Sequence, residues 1–143
     1  MYHIARPAAL EQLQDLLTTV ETEARRIFSP RAARRVLLAA EEVLTNVMMY
    51  AYPQGGGQVR LAIETIPAPP GLRLTIADDG IAFDPLAAPE PDITAPLPDR
   101  KVGGLGIFLA RRMMDRVAYQ RRGGENVLVI EKHRQPDQET TAR

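Results

Sequence analysis

At 143 residues, with 45% hydrophobic and 25% charged side chains, the chain has the size and composition of one soluble globular domain. Its 18 basic and 18 acidic side chains cancel, so no long-range field draws it to DNA or an acidic membrane, and any anion it binds must be held by local geometry. The absence of cysteine excludes disulfides, zinc thiolate sites and a cysteine nucleophile; no apolar run nears the ~18 residues of a membrane span, and MYHIARPAALEQ does not read as a signal peptide, so a cytoplasmic protein is expected.

Pro7 stands where a helix could begin, and Leu10, Leu13, Leu17, Val20, Ala24 and Ile27 recur at helical spacing after it. Ser29-Pro30 is a cap and first-turn pair for a second helix, whose stripe is Val36, Leu37, Ala40, Val43, Leu44 and Val47. That helix stops before Pro53 and the three glycines Gly55 to Gly57. Alternation predicts strands over Gln58 to Ile66 and Leu72 to Ala77, joined by the proline-rich turn Pro67 to Gly71.

From Pro85 to Pro98 neither period holds, and the stretch carries five of the twelve prolines, so it reads as a long loop. A glycine cluster at Gly103 to Gly106 opens a third helix, from Ile107 to about Asp115. Val117 to Arg121 and Asn126 to Lys132 form a hairpin around Gly123-Gly124, and the chain beyond 133 is a polar, frayed tail. The order predicts a single α+β domain over 1–133: a two-layer sandwich, with helices packed on one face of a mixed, largely antiparallel sheet.

Three short motifs stand out. In EEVLTNVMMYAY, Glu42 and Asn46 lie four apart on one face of the second helix, away from its core stripe. That face is a solvated edge unless something covers it, and the presence of Leu38, Ala39 and Met49 on the same side argues for a cover. In IADDGIAFD, Asp78 extends the inward row Leu72, Leu74, Ile76, where a carboxylate needs hydrogen-bond donors such as an adenine amino group. The alternative is a strand-ending Asx turn with Asp79-Gly80. In GGLGIFLARRMMD, glycines leading into a helix let backbone N–H groups approach a phosphate. The pattern is neither a P-loop nor a dinucleotide fingerprint, because GxxxxGK[ST] is absent and a proline-rich loop, not a strand, precedes it.

In order and wording, EEVLTN…YAY, DDG…FDP and GGLGI…MMD resemble the ATP-binding domain shared by gyrase, the heat-shock chaperone of that type, histidine kinases and mismatch-repair ATPases. Within that group the chain most resembles the anti-sigma factor serine/threonine kinases, from about Ser29 to Lys132. The resemblance implies ATP and Mg2+ as cofactors, with Glu42 as general base and Asn46 as a magnesium ligand. Asp78 would accept from the adenine amino group, Gly80 would make room for the ring, and Gly103, Gly104, Leu105 and Gly106 would wrap the phosphates. A lid over about 85–102 would bring Arg100 or Lys101 to them. Tyr50 stands where many members have histidine. Expected partners are a sigma factor and a small antagonist protein that accepts phosphate on serine, with a homodimer implied. A module that binds ATP without phosphotransfer is the other reading: Glu42 argues for the kinase and Tyr50 for the module. His3 and His133, near the two ends, do not fit a phospho-accepting histidine.

Overall fold

Val59, Leu61 and Ile63 alternate with more exposed neighbours in one strand, as do Leu72, Leu74 and Ile76 in the next, and all six are buried. These rows form the floor of the core. A computed structural model describes residues 1–84 and 104–135, with side chains of the second segment from residue 109 onward. In chain order it contains β1 (Tyr2–Pro7), α1 (Leu13–Ile27), α2 (Pro30–Asn46), β2 (Gln58–Pro67), β3 (Pro70–Asp78), α3 (Gly104–Met113), β4 (Arg116–Arg122) and β5 (Glu125–His133). The strands form one five-stranded sheet in the order β1-β2-β3-β5-β4, and every pairing is antiparallel. The expected α+β sandwich is present, with α1 and α2 packed on the inner face of the sheet and α2 touching α3 as well.

Local chemistry explains most boundaries. Ser29 Oγ accepts from the Ala32 N–H at 3.2 Å, which caps α2, and Pro30 is its first helical residue. Gly123 and Gly124 both have positive φ, 58° and 82°, as the tight β4–β5 turn demands. Lys132 Nζ donates to the Met113 carbonyl at 3.1 Å and so satisfies the end of α3.

The N-terminus departs from the expected helix start. Pro7 ends an edge strand, β1, and a short 3-10 turn at Leu10–Gln12 precedes α1. Six residues at a sheet edge show no clean alternation, so the pattern does not betray the strand. Leu16, absent from the expected stripe, is fully buried, whereas Leu10 is exposed. The third helix starts inside its glycine cluster, at Gly104 rather than Ile107. The segment expected to be a lid, 85–102, and the tail from 136 lie outside the described residues.

Candidate functional site

The helix α2 does not simply stop at Asn46. It runs on as a single π turn, Val47–Ala51, and then leaves helical geometry at Tyr52. Such turns widen the backbone ring and free carbonyls, and they recur at functional sites. Here the turn docks the end of the first motif on the second. Ile81 N–H donates to the Ala51 carbonyl at 2.9 Å, and Asp79 N–H donates to the Tyr52 hydroxyl at 2.9 Å. The Tyr50 ring lies 6.4 Å from Phe83, centroid to centroid. Gly80 sits in the seam: a Cβ there would lie 2.1 Å from the Ala51 carbonyl oxygen, so the close approach requires glycine.

Beside this seam lies a cleft with about 400 Å³ of empty space, counting its open mouth. Val43, Asn46, Val47, Ile76, Asp78 and Asn126 are among its walls. Asp78 is 3% exposed at the end of β3: it ends the inward row, and its Oδ1 accepts from Gly80 N–H at 2.8 Å in the Asx turn that was the alternative reading. The same oxygen accepts from Asn126 Nδ2 at 2.8 Å. Asn126 faces Asp78 across the β3–β5 ladder and is itself buried.

Asn46 is the second polar wall. It is 8% exposed, so it does not sit on an outer face as its helical position suggested; the cleft reaches in beside α2 to meet it. Its Nδ2 has no hydrogen-bond partner among the described residues. Glu42, one turn earlier, is half-buried and does not line the cleft. Burial pushes its carboxyl above the ordinary range, and the negative charge of Glu41 pushes it further. Of the apolar side chains expected to be covered on this side, Ala39 is in the core, whereas Leu38 and Met49 remain exposed.

Gly104, Leu105 and Gly106 form the first turn of α3, where backbone N–H groups have no partner within the helix. Arg100, Lys101 and Gly103 lie outside the described residues. Among the described residues no three His, Asp or Glu side chains cluster as a metal site, and no helix is long and apolar enough to cross a membrane.

Three residues at or beside the site carried no sequence signal. Asn126 and Tyr119 read as ordinary strand positions. Arg121 read only as the end of a hairpin strand, yet its guanidinium donates to the Gly80 carbonyl at 2.8 Å. Only the pairing of β5 with both β3 and β4 brings these strand residues beside Asp78 and Gly80.

The fold and the cleft define a class before any particular relative. Residues 5–132 match the histidine kinase-like ATPase domain family. Two solved structures share the fold. One is the histidine kinase domain of the blue-light activated kinase of Erythrobacter litoralis EL346 (TM-score 0.57, 20% identity, covering 95% of this chain and 64% of that one). The other holds the RsbU and RsbW domains of Rv1364c from Mycobacterium tuberculosis (TM-score 0.59, 11% identity, 93% of this chain and 32% of that one). Two relatives narrow the class. The serine/threonine-protein kinase BtrW of Bordetella bronchiseptica is 33% identical over 111 residues, 77% of each chain. The serine-protein kinase RsbW of Halalkalibacterium halodurans is 32% identical over 107 residues, 72% of this chain and 64% of that one. The chain belongs to the histidine kinase-like ATPase domain family and, within it, to the anti-sigma factor serine/threonine kinases.

Proposed function

We propose that the chain is an ATP-dependent serine/threonine protein kinase that restrains a sigma factor and phosphorylates a small antagonist protein on serine. The observation that carries this reading is the pairing of two buried polar side chains, Asp78 and Asn46, on one cleft, with the Asn46 amide left unpartnered among the described residues. An unpaired buried amide costs about 1–3 kcal/mol, so a polar ligand is the expected complement.

In this reading Asp78 accepts from the adenine amino group. The first turn of α3 offers backbone N–H groups to the phosphates. Gly80 serves the ring indirectly, by letting residues 79–83 pack on Ala51. Asn46 would offer magnesium one oxygen, its other ligands coming from phosphate and water as is usual for that ion. Magnesium would supply charge neutralisation at the phosphates.

Glu42 takes the proton from the acceptor serine as the serine oxygen bonds to the γ-phosphorus. The bond from that phosphorus to the β-phosphate oxygen breaks, and ADP leaves. Burial and the charge of Glu41 raise the Glu42 carboxyl, which makes its carboxylate a stronger base than an ordinary glutamate's, as the task asks. The phosphate then puts about two negative charges on the antagonist's binding surface and weakens its grip. A homodimer and a cytoplasmic setting belong to the same reading.

Tyr50 favours a second reading, in which ATP only shapes a partner-binding face. It is a neutral ring packed beside Phe83, where many family members have histidine. Incubation with γ-labelled ATP and the antagonist separates the two. Label on the antagonist supports the kinase. Nucleotide binding without label supports the module, and phosphate release without transfer means an ATPase.

A further inference from the structure

The buried Asn126 amide makes four hydrogen bonds, and they are sorted by type. Its Nδ2 donates to Asp78 Oδ1 at 2.8 Å and to the Ile81 carbonyl at 2.7 Å. Its Oδ1 accepts from the Tyr119 hydroxyl at 2.6 Å and from Phe83 N–H at 3.3 Å. A peptide carbonyl can only accept and a peptide N–H can only donate. Turning the amide over would set oxygen against oxygen at Ile81 and N–H against N–H at Phe83, so its orientation is decided by chemistry. Both of its N–H groups are spent, as is the Gly80 N–H, which donates to Asp78 Oδ1 at 2.8 Å. The floor of the cleft therefore has no donor left to offer from these groups, and the Asp78 carboxylate can only accept.

We propose that Asn126 is a specificity-determining positioning residue. Held by Tyr119 and Phe83, it orients Asp78 with one oxygen occupied and leaves no free donor of its own beside it. The cleft then selects purine nucleotides with an amino group at position 6 over those with an oxo group. This rests on the nucleotide reading of the cleft and assigns its base selectivity. Loss of the Asn126 side chain frees the Asp78 carboxylate to turn and admits water. Water can donate or accept, so it serves either purine.

The test is calorimetric titration of the intact chain with ATP, GTP and purine riboside triphosphate, which lacks the amino group. The wild type should bind ATP at least ~10²-fold tighter than GTP, since a site built around one hydrogen-bonding pattern rejects its mismatch strongly. Asn126→Ala should cut the advantage of ATP over both analogues by about 10-fold or more. Tyr119→Phe keeps the ring's packing and should cut it in the same direction by about threefold. Asn46→Ala should weaken all three nucleotides and leave their ratios alone. Wild-type ratios in a folded Asn126→Ala overturn the proposal, even if overall affinity falls, because a merely structural role would weaken all three alike. If that variant does not fold, wild-type ratios in Tyr119→Phe overturn it. A wild type that binds none of the three overturns the nucleotide reading itself. One that binds ATP while the variants keep its selectivity overturns only the role of Asn126.

Discussion

Glu42 lies half-buried on α2, next to the charge of Glu41, and both effects raise its pKa above 4.5. The folded chain therefore keeps this proton at pH values where the unfolded chain has lost it. Its contribution to stability falls as pH rises from 4.5 through the raised folded value, and above that the penalty is constant. Glutamine removes the charge and keeps the shape. At neutral pH Glu42→Gln should melt no lower than the wild type, bind ATP almost normally and transfer phosphate at least ~10²-fold more slowly. Wild-type transfer should rise with pH as Glu42 ionises. Full transfer by the glutamine variant would assign the base elsewhere. At Asp78, asparagine replaces one acceptor oxygen with a donor, either against the adenine amino group or against the Nδ2 of Asn126. Asp78→Asn should lose about one to two decades of ATP affinity by calorimetry. Wild-type affinity would reduce Asp78 to a strand-end turn.

Among elements, the seam between the π turn and residues 79–83 sets the shape of the cleft. Its backbone hydrogen bond and aromatic contact align Ala51 with Ile81 and Tyr50 with Phe83. A methyl group at Gly80 must push the Ala51 carbonyl away, because its ideal position is only 2.1 Å from that oxygen. Gly80→Ala should therefore cost about 1–3 kcal/mol in denaturant unfolding and weaken ATP binding with it. Unchanged stability would mean that the seam is slack. The start of α3 makes a different demand. Gly106→Val should leave a folded chain with ATP binding largely lost, since a side chain there blocks the approach of phosphate to backbone N–H groups. Unchanged affinity would remove the phosphate cradle from α3.

Across the whole molecule, the outer face of the sheet carries a row of charges along neighbouring strands. Arg73 donates to Glu64 on β2 and Glu131 on β5, both at 2.9 Å, and Arg116 on β4 donates to the same Glu131 oxygen at 2.7 Å. The hydrogen bond from Arg73 is the main reason that the Glu131 pKa falls below 4.5, with Arg116 adding to it against the cost of burial. The stability from this group is fully present above the unfolded pKa and is lost as pH falls through the lowered folded one. Glu131→Gln should cost about 1–3 kcal/mol at pH 7, and the difference from the wild type should shrink as pH drops below 4.5. A gap that persists in acid would mean that packing, not charge, is what glutamine disturbs.

By itself the sequence determined α1, α2 and the strands β2 to β5, because periodicity and caps are local signals that burial then obeys. It also determined the place of Asp78, through the parity of its row, and the presence of a helix at the third motif, though not its first residue. The wording of the three motifs was enough to indicate the family. What only the tertiary structure decided depends on which strand lies beside which. Strand β1 was hidden because an edge strand buries too little to leave a pattern. Asn46 looked outward on a helical wheel, yet the cleft reaches it, since a wheel cannot show a gap between a helix and a sheet. Asn126 and Arg121 meet Asp78 and Gly80 only because β5 pairs with β3 on one side and β4 on the other. Contacts of that kind join residues more than 40 positions apart, and no local pattern encodes them.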